Sequence, residues 1–94
     1  MQKVKFACPC CGFFTLDDKG NYDICPVCFW EDDLYDRLHP DEESACNHIS
    51  LNQARKNYLA FGACDEDMKK FVRKPTAGEI SQKLKEDEEK CHCK

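Results

Sequence analysis

The sequence predicts a small α+β domain, in which a stapled β-hairpin module carries one or two packed helices. Three observations predict it. Cys8-Pro-Cys-Cys11 and Cys25-Pro-Val-Cys28 share one form, with thirteen residues between Cys11 and Cys25. Short alternating apolar stretches flank them, and a well-capped amphipathic stretch follows. The chain of 94 residues allows one domain with a thin core, and nine cysteines supply the staple that so small a core needs.

Val4, Phe6 and Cys8 alternate with Lys3, Lys5 and Ala7, the period of a short strand. Phe13–Leu16 and Tyr22–Ile24 read as further strands around Asp17–Asn21, where Lys-Gly-Asn supplies the positive-φ residues of a turn. Leu34–Ile49 is polar, contains Pro40 and has no period, so a loop is expected there. Ser50 with Gln53 three residues on forms a capping-box pattern, and Gly62 supplies a left-handed stop. Between them Leu51, Ala54, Arg55, Tyr58, Leu59 and Phe61 make a broad stripe whose apolar members are expected in the core. A second short helix is expected in Asp65–Lys74: acids lead, bases end it, and Met68, Phe71 and Val72 share a face before Pro75 stops it. We expect residues 1–80 to be the single cysteine-rich domain. Residues 81–94 form a charged tail with few apolar anchors, expected to fray into disorder.

The paired Cys-Pro-x-Cys segments carry the chemistry. In such a knuckle the first thiolate precedes a tight turn, Pro presets its φ, and the second thiolate arrives within reach of the same ion. The spacing predicts a tetrahedral site made of Cys8, Cys11, Cys25 and Cys28, with Cys10 in the variable knuckle position and pointing away. Zn²⁺ is the expected ion, one per chain, and iron in a rubredoxin-like arrangement is the alternative. Four thiolates close the coordination shell and leave no position for water, so the site is expected to be structural and the protein not an enzyme. A thioredoxin-type reading of Cys25-Pro-Val-Cys28 wants a βαβ setting with the first cysteine at a helix N-terminus, and the sequence supplies neither.

Cys46 and His48 stand two apart, and Cys91-His92-Cys93 crowds the tail. Together with Cys10 they leave open a second metal site, against the plainer reading of free thiols. Cys64 is expected to be a small buried apolar residue. Glu31, Asp32, Asp33 and Asp36 contain Asp-Asp-x-x-Asp, but a chain without a long helical bundle gives that pattern no diphosphate cavity. We take these acids together with Asp41–Glu43, and Trp30 as a half-exposed anchor, as a face that binds a partner. Phe29 and Trp30 are both expected to pack on the knuckle and the helix. His39 has no visible acid–base partner.

CPCCGFFTL (Cys8–Leu16), ICPVCFWEDD (Ile24–Asp33), SLNQARKNYLAFGAC (Ser50–Cys64) and VRKP (Val72–Pro75) together resemble the bacterial cysteine-rich CPCC domain, in order over about residues 6–79. The resemblance implies a small bacterial domain with a cysteine cluster at Cys8, Cys10, Cys11, Cys25 and Cys28. Some relatives carry a hydrolase label, which no nucleophile–base set or open metal site in this sequence supports.

The fold expectation is therefore a zinc-ribbon-like β-hairpin module with one or two packed helices. No apolar run is long enough for a signal peptide or a membrane span, which points to a cytoplasmic protein with reduced thiols. The formal charge of −4 divides unevenly, with ten acids and four bases in residues 1–49 against eight and ten in residues 50–94. The acidic half disfavours nucleic acid and favours a protein with a basic surface. The functional expectation is a non-catalytic zinc-binding interaction module, one form of which is an acidic immunity protein that neutralises a basic toxin. Two alternatives differ in class. One is a regulatory zinc ribbon that binds nucleic acid through Arg55, Lys56, Lys69, Lys70, Arg73 and Lys74; the other is a thiol redox or metal-handling protein.

Overall fold

Each Cys-Pro-x-Cys segment is the turn of its own antiparallel hairpin. The computed structural model describes residues 5–81. Strand β1 (Phe6–Ala7) pairs with β2 (Phe14–Leu16) across the first knuckle, with Phe6 opposite Leu16 and Ala7 opposite Phe14. Strand β3 (Asn21–Ile24) pairs with β4 (Glu31–Asp33) across the second, with Asn21 opposite Asp33 and Ile24 opposite Glu31. The strands expected at Phe13–Leu16 and Tyr22–Ile24 are therefore present in essence. They belong to different two-stranded sheets and do not pair around Asp17–Asn21.

The physical reason is that the knuckles reverse the chain themselves. In the first, the Cys8 amide donates to the Phe13 carbonyl (2.9 Å) and the Gly12 amide to the Cys8 carbonyl (2.8 Å). In the second, Cys25 donates to Trp30 (3.0 Å) and Phe29 to Cys25 (2.7 Å), the same pattern at the same offsets. Asp17–Asn21 is a link between hairpins. Asp18 accepts from the Lys19 amide (2.8 Å), and Gly20 sits at φ +68°, where a Cβ would come within 3.1 Å of the Leu34 Cβ.

The segment Leu34–Ile49, expected as loop, contains a short helix α1 (Leu34–Leu38), started by the Asp33 carboxylate accepting from the Tyr35 amide (2.9 Å). Beyond it Ser44 organises the chain. Its hydroxyl donates to Asp36 (2.5 Å) and accepts from the amides of Cys46 (3.2 Å) and Asn47 (3.0 Å). The Asn47 side chain then brackets Glu31, accepting from its amide (2.9 Å) and donating to its carbonyl (3.0 Å), so this loop is fastened to β4.

Helix α2 (Leu51–Phe61) has the expected bounds: the Ser50 hydroxyl accepts from the Gln53 amide (3.1 Å), and Gly62 ends it at φ 83°. The Gln53 side chain does not complete a capping box but donates forward to Asn57 (2.9 Å). Leu51 and Ala54 are buried and Tyr58 is partly so, whereas Leu59, expected in the core, is 86% exposed. The stripe is narrower than its apolar membership because only the Leu51–Ala54–Tyr58 line meets the hairpins. The expected second helix is a 3-10 helix, Glu66–Phe71, capped by Asp65. A further helical turn occupies residues 77–81; Glu79 donates from its amide to the Thr76 hydroxyl (3.3 Å) and accepts from the Thr76 amide (2.8 Å). The expected frayed tail lies, from residue 82 on, outside the described residues.

The core is built around cysteine. Cys8, Cys10, Cys11, Cys25, Cys28 and Cys64 share one buried cluster with Leu16, Val27, Trp30, Leu51 and Ala54. The two hairpins are also tied by a buried ion pair: Arg37 grips both oxygens of Asp32 (2.7 and 2.9 Å) and donates to the Ala7 carbonyl of β1 (3.1 Å). Among the described residues no helix is long and apolar enough to cross a membrane.

Candidate metal centre

The two knuckles deliver their sulfurs to one point. The Sγ atoms of Cys8, Cys11, Cys25 and Cys28 lie within 4.8 Å of one another, and none of these residues is more than 6% exposed. Cys8 and Cys28 are 3.5 Å apart and Cys11 and Cys25 3.7 Å. Four thiolates at about 2.3 Å from one zinc ion stand about 3.8 Å apart at the corners of a tetrahedron, so these spacings fit such an ion. All seven described cysteines are free thiols. The arrangement can bind a metal ion, and it supplies four protein ligands with no side open to solvent.

Neighbouring groups make the sulfurs unequal. Hydrogen bonds from Cys11, Cys28 and Cys8, with a further one from the Thr15 hydroxyl at 3.0 Å, hold the Cys25 thiol far below its ordinary pKa. The Val27 amide also points at Cys25 Sγ (3.4 Å). Cys11 is driven far up, first by its hydrogen bond to Cys25, and Cys28 far up, first by its hydrogen bond to Cys10.

Cys10, expected to point away, turns inward: it is 8% exposed and lies in the same buried cluster as Cys28. The thin core explains this, since a small apolar thiol fills space behind the tetrad at no polar cost. Cys64 is buried as expected, and burial pushes its thiol up to about 12. Its amide donates to the Cys28 carbonyl (2.8 Å), which fastens the end of α2 to the second knuckle. Cys46 sits beside Glu31 and Asp33, donating to the latter at 3.7 Å; burial and these carboxylates raise it to about 11. Among the described residues no other three ligating groups converge, so Cys46 and His48 do not build a second centre there. Cys91, His92 and Cys93 lie outside the described residues.

The expected partner face needs correcting. Trp30 and Asp32 are wholly buried and Asp36 nearly so. Trp30 is the largest side chain of the core, and its indole N–H has no partner among the described residues. Asp32 turns inward because Arg37 and the Gly20 amide (2.7 Å) satisfy its carboxylate, and Asp36 because Ser44 does. Glu31 and Asp33 are half-buried, and Asp41, Glu42 and Glu43 are exposed. The basic set is dispersed and partly engaged. Arg55 donates to the Pro9 carbonyl (2.9 Å), Lys69 and Lys70 lie over the rings of Phe61 and Phe71, and Arg73 pairs with Glu79 (2.9 Å).

Sequence reasoning missed the Asp32–Arg37 pair, the Ser44 hub and the inward turn of Cys10. A knuckle repeat was the available signal for the first, because Asp32 follows Cys25 by the same seven positions as the buried Thr15 follows Cys8. A family model described as "Cysteine-rich CPCC" matches residues 6–79, most of the chain. No curated protein matches it.

Proposed function

The chain belongs to the cysteine-rich CPCC family, and on that premise we propose that it is a non-enzymatic, zinc-stapled module that binds a protein with a basic surface. The observation that carries this reading is the burial of all four converging sulfurs, which leaves a bound ion no free position for substrate or water. Zinc suits the donor set best, as an ion that accepts four thiolates and has no redox chemistry of its own. Its role is then to hold the two hairpins together in a chain whose core contains few large apolar residues.

The preference for a basic partner rests on charge. Asp41, Glu42 and Glu43 are exposed, Glu31 and Asp33 are half-buried, and the residues 1–49 that contain them are strongly acidic. Such a surface speeds capture of a cationic protein and repels phosphate backbones. An immunity protein that blocks a cationic nuclease toxin in the cytoplasm is the concrete form we favour. Redox chemistry fits poorly, since Cys46 and Cys64 titrate at about 11 and about 12 and are protonated near neutral pH.

Native mass spectrometry of the metal-replete chain tests both halves, alone and with an arginine-rich peptide or a short DNA duplex. One zinc per chain, lost together with the fold under chelation, and an adduct with the peptide but not the duplex are expected. A redox-active iron, a metal that leaves without unfolding the chain, or binding to the duplex that falls steeply with salt overturns the reading.

A further inference from the structure

A small cavity opens beside the second knuckle, and none of the four converging cysteines lines it. Phe29 and Ile24 of the second hairpin, Met68 of the 3-10 helix and Cys46 form much of its wall, with Glu31 and Asp65 in the lining. Its volume is about 100 Å³. Ligand pockets for drug-sized molecules run from roughly 300 Å³ upward, so a nucleotide or organic cofactor is too large. A cavity of roughly 150 Å³ accepts benzene, so this one suits the end of a single side chain.

The charge of the lining selects which side chain. Asp32, the acid between Glu31 and Asp33, has its cation in Arg37. Among the described residues no Lys, Arg or His pairs with Glu31, Asp33 or Asp65. Asp33 stands just behind, accepting from Cys46, and no basic residue except His48 lines the cavity. The lining combines unneutralised carboxylates with an aromatic and aliphatic wall, which complements a side chain with an apolar stem and a cationic head.

The wall is also held at a cost. Phe29 and His48 both line the cavity and both have left-handed backbones, at φ 71° and 65°. Residues with a Cβ avoid that region. At Phe29 the ring recoups part of the cost by stacking on Phe71 at 5.1 Å, which holds the ring in the cavity wall. An aromatic side chain in the wall favours a guanidinium, which stacks on rings, over a compact ammonium.

We propose that this cavity is the arginine-accepting pocket of the interaction face, with Glu31 and Asp65 meeting the guanidinium and Ile24, Phe29 and Met68 its aliphatic stem. The pocket deepens the preceding functional reading and rests on it.

The test is a titration of the ¹⁵N-labelled, zinc-replete full chain with acetyl-Gly-Arg-Gly-amide at low salt, followed by amide shifts, against the same peptide containing neutral citrulline. Saturable shifts at Glu31, Asn47, His48 and Asp65 with the arginine peptide alone are expected. Glu31→Gln and Asp65→Asn are each expected to weaken binding by about two- to five-fold, the scale of one exposed charge pair. Asn at 65 preserves the cap of the 3-10 helix, and Asp18→Asn, in the exposed link between the hairpins, serves as a control with no expected effect. Equal shifts with citrulline, shifts scattered over Asp17 and Asp41–Glu43, or indifference to both substitutions overturn the pocket. A longer arginine-rich peptide separates the two readings. If it binds the wild type and the double variant alike, the pocket fails and the interaction face stands; if it does not bind the wild type, both fail.

Discussion

The first and second knuckles have one backbone and two different surroundings. Both hold their turns with hydrogen bonds at the same offsets, and both place the residue after the second cysteine in the left-handed region, Gly12 at φ 84° and Phe29 at φ 71°. Glycine takes that conformation without steric penalty, whereas phenylalanine gives up about 1–2 kcal/mol. The central carbonyls differ as well. Pro9 is held by the exposed side chain of Arg55 (2.9 Å), but Pro26 is held by the backbone amide of Arg73 (3.1 Å) and Cys28, two residues on, by that of Cys64 (2.8 Å). The first knuckle is thus a minimal metal-ligand turn. The second is also the floor on which the chain after α2 is laid, and Phe29 is the side chain that joins them.

Removing a ligand abolishes the comparison and has the largest expected effect. Cys8→Ser and Cys25→Ser should lose the metal and the fold alike, since structural zinc supplies on the order of 10 kcal/mol to domains of this kind. Metal content by native mass spectrometry and circular dichroism of each variant check it; a folded, metal-loaded Cys25→Ser would break the four-ligand reading. Acidification should act in the same direction, because every ligand thiol must shed a proton to bind.

Cutting the second tie between the hairpins comes next. Arg37→Met leaves Asp32 buried without its cation, at an expected cost of about 3–5 kcal/mol in urea unfolding of the metal-loaded protein. A cost under about 1 kcal/mol would mean that the metal alone couples the hairpins.

Exchanging the two knuckle residues then sharpens the contrast. Gly12→Ala should cost about 1–2 kcal/mol through backbone strain alone. Phe29→Gly relieves a comparable strain but loses the stack on Phe71, for an expected net loss of about 1 kcal/mol. Protease cleavage after Lys69 or Lys70 should accelerate in that variant and not in Gly12→Ala. Equal cleavage rates would refute the floor role of the second knuckle.

The smallest effect belongs to Glu79, which Arg73 and the Thr76 amide hold below the usual carboxylate range. A depressed folded pKa adds stability above the unfolded value near about 4.3, which is lost as pH falls through the folded one. Wild type should therefore exceed Glu79→Gln by less than about 1 kcal/mol at neutral pH, with the gap closing as pH falls below about 4. A gap that widens on acidification would contradict the pairing.

What the sequence made legible divides along the same line. Features coded by local chemistry were readable: the four ligands, the caps of α2 at Ser50 and Gly62, and the strand near Phe14–Leu16. Strand β4 was hidden because Glu31, Asp32 and Asp33 are poor strand formers, and only a cation five residues away allows Asp32 to face inward. Its register was nevertheless encoded: Cys25 follows Cys8 by seventeen positions, and Glu31–Asp33 is Phe14–Leu16 displaced by the same number. The Thr76–Glu79 cap was also readable and overlooked. The half exposure expected of Trp30 was wrong because its burial depends on a cluster whose members Leu51 and Ala54 come from more than twenty residues further along the chain.

The separation of the two hairpins also orders events in time. Phe6–Leu16 and Asn21–Asp33 each close over a short contour, so each can form its turn without waiting for the other. A two-stranded hairpin is marginal alone in water, so a metal ion shared by both would be what makes these locally closed turns persist.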